Sequence, residues 1–157
     1  MKEMARNLNL RFSIFNSRFS LLLLILCCFP ALTGCGHKGP EVVRVEGTIT
    51  LGGGPWPKPG SLFFTVSKPA PGIPSRPAGA DFDTDGRITV TTFKKGDGLI
   101  PGTYNIAVKC WEIPPTPTSP GKSYVPQRYQ SPMASGLTAV VEPGQRMLKL
   151  SLDVPKH

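Results

Sequence analysis

The chain has 157 residues, with 18 Lys and Arg against 10 Asp and Glu for a net charge of +8, and only four cysteines and two histidines. That length holds one core-forming domain beside a short terminal segment. After the first 34 residues the cations are scattered, with Lys94-Lys95 the one doublet, so the basic stripe and reader element of a nucleic-acid-binding protein are missing and no nucleic-acid partner is expected.

Residues 1–18 carry Lys2, Arg6, Arg11 and Arg18 against Glu3, and Phe19 to Leu32 is apolar except for Ser20 and Pro30. A cationic stretch followed by a short apolar run is the pattern of a secretory signal. The run is shorter than the ~20 apolar residues that span a bilayer. It ends in Leu32-Thr33-Gly34-Cys35, which resembles a bacterial lipobox. The resemblance implies a signal peptide over 1–34, a thioether-linked diacylglycerol on Cys35, and a mature protein held at the cell envelope by fatty chains such as palmitate. Each buried methylene contributes about 0.8 kcal/mol, so one acyl chain binds marginally and two or three bind durably. Gly36, where some sorting signals have Asp, favours the outer membrane by resemblance to lipoprotein sorting in diderm bacteria; the inner membrane stays open. Residues 35–41 form the tether.

Cleavage would leave fourteen basic and nine acidic residues, a surface suited to anionic lipid or polysaccharide. Cys27 and Cys28 depart with the signal and Cys35 is acylated, so Cys110 has no intrachain partner and is expected to pack in the core. Seventeen of the eighteen prolines fall in the mature part and, with glycine, punctuate it into short segments that leave no room for a long helix.

Between the punctuation marks, apolar residues alternate. Val43, Val45, Ile49 and Leu51 share one face with Gly47, and Arg44, Glu46, Thr48 and Thr50 share the other, as in a half-buried strand. The same period places Leu62, Phe64 and Val66 on a second strand, with a short strand over Ala78 to Phe82. Ile88, Val90 and Thr92 follow, then Tyr104, Ile106, Val108 and Cys110, then Leu137, Ala139 and Val141, and finally Leu148, Leu150, Leu152 and Val154. About seven short strands, each apolar on one side, predict an all-β domain over 42–157 built as a single antiparallel β-sandwich.

Three stretches carry a further likeness: VRVEGTITLGGGPWPKPGSLFFTV, TDGRITVTTFKKGDGLIPGTYNIAVKC and YQSPMASGLTAVVEPGQRMLKLSL. Together they resemble small bacterial lipoproteins with a carboxypeptidase-regulatory-like, transthyretin-like β-sandwich. The resemblance implies that fold and no assigned activity. Its motif pieces read as structural: Asp85-Gly86 supplies two positive-φ residues for a hairpin turn, and the Tyr104 hydroxyl is placed to satisfy a loop backbone group.

Candidate chemistry is sparse. Asp81, Asp83 and Asp85, with Gly86 next, match the opening of a calcium loop, but its twelfth position is Thr92 in place of a bidentate Glu, so a solvated acidic turn competes with that reading. Trp56 and Trp111 sit beside prolines and offer flat faces to a glycan, or pack against the proline-rich loops. The run Pro114 to Pro120 is a polyproline ligand or a stiff surface loop. His37 lies in the tether and His157 is last, so neither is held beside a nucleophile as triad chemistry requires. The expectation is therefore a non-catalytic, lipid-anchored envelope module without a cofactor, facing the periplasm or the cell surface and meeting the membrane, with an envelope protein or polysaccharide as partner. The alternatives are a glycan-binding module using exposed aromatics, and a calcium-stabilised adhesive domain.

Overall fold

A computed structural model describes residues 39–156; the signal segment 1–34, Cys35, His37 and His157 lie outside the described residues. Every stretch whose apolar residues alternate forms a strand. They are β1 (Arg44–Leu51), β2 (Gly60–Pro69), β3 (Ala78–Phe82), β4 (Arg87–Thr91) and β5 (Gly102–Lys109), followed, after a two-strand insertion, by β8 (Thr138–Val141) and β9 (Met147–Val154). The insertion is a ribbon of β6 (Trp111–Ile113) and β7 (Lys122–Ser123), and a 3-10 turn at Gln127–Gln130 follows it. Among the described residues no helix is long and apolar enough to cross a membrane.

The seven alternating strands hydrogen-bond in the order β8-β5-β2-β3-β4-β1-β9, one mostly antiparallel sheet that is nearly closed on itself. The cause of the curl lies in the side chains. Ile49 of β1, Phe64 of β2, Phe82 of β3, Val90 of β4, Ile106 of β5, Val141 of β8 and Leu152 of β9 all belong to one buried cluster, although each strand has a single apolar face. A flat sheet would leave those faces in water, whereas burying each such side chain contributes about 1.5–3 kcal/mol. Curling brings every inward residue to the same core.

The hydrogen bonding runs without a break from β8 through β3 to β9. One expectation changes here: the sheet is not wholly antiparallel, because β1 runs parallel to β9 over the whole register from Arg44 opposite Met147 to Leu51 opposite Val154. These strands come from opposite ends of the domain, so no hairpin forces them antiparallel. Gly47 makes the close approach feasible, because a Cβ there would collide with the Leu150 carbonyl oxygen. Among the described residues the first paired backbone is that of Val43, whose N–H donates to the Leu99 carbonyl at 2.7 Å while Leu99 N–H donates back at 2.9 Å.

The β3–β4 hairpin differs from the expected two-residue turn, since Asp85 does not take positive φ and only Gly86 does, at 77°. Gly86 N–H donates to the Asp83 carbonyl at 2.9 Å, and the Asp83 carboxylate accepts the Arg87 N–H at 2.8 Å. This is a turn closed by a left-handed glycine, the longer of the common hairpin solutions. As expected, the Tyr104 hydroxyl reaches a loop, donating to the Ile100 carbonyl at 2.8 Å, with the ring edge-on to Phe64.

Candidate functional site

Trp56 is 3% exposed, which corrects the picture of an outward stacking platform. The loop after β1 folds back because three groups of this residue find partners. Its backbone N–H donates to the Thr84 carbonyl at 2.9 Å, its indole Nε1–H donates to the Ile49 carbonyl at 2.9 Å, and its ring lies 4.7 Å from that of Phe82. An indole is a large apolar body with one donor, and a buried site that satisfies the donor is where it gains most. Trp56 closes one end of the core. Its rim reaches an open depression with Leu51, Pro55, Pro57, Tyr124 and Lys156. Trp111, half-buried on β6 opposite Ser123, is not part of that wall.

The three aspartates have separate local roles. Asp83 caps the hairpin, Asp81 accepts the Ser61 hydroxyl at 3.3 Å, and Asp85 is exposed at the turn. Among the described residues no three His, Cys, Asp or Glu side chains converge as a metal site, so Asp81, Asp83 and Asp85 are not brought together. Asp97 does the most. Its carboxylate accepts N–H bonds from Thr92 at 2.8 Å, Phe93 at 2.9 Å and Lys94 at 2.8 Å. Partial burial pushes its carboxyl up, but the donors from Thr92, Lys94 and Phe93 outweigh burial and hold it below the ordinary aspartate value. Asp153 is held low by the Thr50 hydroxyl and then by the Gly53 N–H.

Cys110 is buried, as expected, with its thiol directed at the Lys58 carbonyl at 3.4 Å. Burial raises its pKa against the smaller opposing effects of Lys58, so the nucleophilic thiolate is disfavoured. In the proline-rich run, Thr116 and Ser119 pair backbone to backbone at 2.8 and 3.2 Å, making a closed surface turn of that stretch.

Among the described residues the exposed aromatics are phenylalanines. Phe63 on β2 is 43% exposed and Phe93, just after β4, is 45% exposed. Each carries a cation over its ring, Lys109 Nζ at 4.8 Å from the Phe63 centroid and the Arg76 guanidinium at 4.5 Å from that of Phe93. On the outer face of the sheet lie two adjoining depressions of about 470 Å3 each that share Phe63, Gly79 and Thr91, the second also lined by Thr92, the neighbour of Phe93. Sequence reasoning passed over this face, although the signal is present in Leu62-Phe63-Phe64, where an aromatic occupies the outward position, and in Gly79, a glycine at an outward position in mid-strand.

No protein-family model, curated protein or solved structure matches this chain.

Proposed function

We propose that this chain is a non-catalytic lipoprotein of the bacterial cell envelope, in which a transthyretin-like β-sandwich is carried on a lipidated Cys35 and serves as a binding module. The observation that carries this reading is Leu32-Thr33-Gly34-Cys35 placed directly after a cationic stretch and an apolar run. Seven residues separate Cys35 from Val43, the first residue paired into the all-β unit, so the extended chain reaches at most about 28 Å from the anchor. The domain therefore works close to the lipid surface.

Support for the sandwich comes from the shared core, in which Ile49, Ile88 and Leu152 on one side of β3 in strand order are clustered with Phe64, Ile106 and Val141 on the other. Support for a role without catalysis comes from where the reactive groups are spent. Asp83, Asp97 and Asp153 accept backbone amides, and the Cys110 thiol is buried against a carbonyl.

The test is the mass of the processed chain purified from bacterial membranes. A mature N-terminus at Cys35 carrying two or three acyl chains is the expected result, with labelled palmitate entering the wild type and not Cys35→Ala. A processed chain without lipid would remove the anchor and the location with it.

A further inference from the structure

We infer that the outer face of β2, β3 and β4 is a binding groove for an anionic polysaccharide, with Phe63 and Phe93 as sugar-stacking platforms and Arg76, Lys95 and Lys109 as partners for its acidic groups. The inference deepens the reading of the chain as an envelope binding module and rests on it for where the ligand is met.

Gly79 is the observation that points to a ligand. It sits in mid-strand on β3, between Phe63 of β2 and Thr91 of β4, where a glycine weakens the strand. Nothing in the fold demands it. Its φ is not in the left-handed region, and an added Cβ would meet only the Leu62 carbonyl oxygen at 4.0 Å, an ordinary contact. Gly47, by contrast, is required by a colliding backbone. A glycine with no internal reason, in the floor of a concave surface, leaves room for something outside the chain.

The groove walls say what that is. Phe rings exposed on one sheet face give flat apolar surfaces that take the C–H faces of sugar rings. Arg76 and Lys109 lie over those rings, which pins both cations beside the groove without neutralising their charge. Lys95 lines the same depression as Asp81 and Ser61, whose oxygens are partners for sugar hydroxyls. Arg76 and Lys95 against the single acid Asp81 on the walls, with Lys109 beside them over the Phe63 ring, make the site complementary to a polyanion. A lipid bilayer fits less well, because membrane-inserting aromatics protrude, whereas Phe63 lines both depressions around Gly79.

Isothermal titration calorimetry on the full acylated chain in detergent micelles tests this with polygalacturonate, with neutral dextran, and with vesicles containing phosphatidylglycerol. Polygalacturonate is expected to bind, to weaken as salt is raised, and to outcompete dextran. Phe63→Ala should lower affinity about tenfold, the value of one lost platform. Gly79→Thr, a better strand former, should fill the floor and abolish binding without lowering Tm. If Gly79→Thr unfolds the protein, Phe63→Ala and Arg76→Gln, both at exposed positions, decide the matter. Failure of polygalacturonate to bind, equal binding of dextran, binding that survives Phe63→Ala and Gly79→Thr, or binding to vesicles alone would each overturn the groove. The acyl mass of the same preparation separates the two readings: binding by an unacylated chain sinks the anchor and leaves the groove, and acylation without binding does the reverse.

Discussion

Trp56 shows how a side chain's role depends on what the surrounding loop does with its polar atoms. In the sequence it sits within Gly54-Pro55-Trp56-Pro57, a composition typical of surface turns, and nothing local reveals that Nε1–H will find the Ile49 carbonyl. Truncating it therefore acts on the core. Trp56→Ala should cost about 3–5 kcal/mol in urea unfolding, the range for a large aromatic removed from a packed site. Trp56→Phe, which keeps most of the ring and loses the donor, should cost about 1–3 kcal/mol. A surface stacking residue would show neither loss. Asp97 makes a matching prediction in pH. Its folded pKa lies below the unfolded aspartate value of about 3.9, so its contribution is fully present above that value and is lost as pH falls through the lower, folded value. Asp97→Asn removes that contribution, so its Tm should fall less steeply than the wild type's when the pH is lowered from about 4 toward 2. Parallel curves for the two proteins would refute the role given to this carboxylate.

The β3–β4 hairpin shows which features of an element the sequence makes legible. Alternation identified the strands because one face of each must be apolar and the period of two is preserved even in five-residue segments such as Arg87–Thr91. Turn type was harder to read, since Asp-Gly suits a two-residue turn and the end of a three-residue one equally. Asp83 settles the choice by capping Arg87, a contact that depends on the turn already formed. The parallel pairing of β1 and β9 was not legible, because alternation fixes which face points inward and is silent on strand direction. The β6–β7 ribbon is too short and half-exposed to show a period at all. Gly86 makes the hairpin testable. An alanine there would take an unfavourable positive φ and its Cβ would collide with the Ile49 carbonyl oxygen, so Gly86→Ala should destabilise by about 2 kcal/mol or more. Gly53, also at positive φ but with open space around it, should lose about half as much on the same substitution, since only the backbone strain remains.

For the molecule as a whole, the proposed anchor and the fold are separable, and that separation can be measured. Val43 and Leu99 tie the first strand's entrance to the core by two backbone hydrogen bonds, and Cys35 lies eight residues earlier in the sequence, so the proposed lipid on that sulfur is not needed to hold the first strand in place. A version carrying an ordinary cleavable secretory signal joined to residue 36 should therefore appear in the aqueous fraction with the urea midpoint of the anchored protein. Cys35→Ala in the full chain should behave differently. Lipid addition precedes the cut in the lipobox reading, so without the thiol residues 1–34 stay attached and the protein remains with the membrane, heavier by the uncut signal and free of palmitate. The pair of variants distinguishes two ways of being membrane-bound, one through an apolar segment too short to span comfortably and one through two or three acyl chains. A Cys35→Ala chain processed normally and released would show that cleavage needs no lipid, and the envelope location would then rest on an ordinary secretory signal.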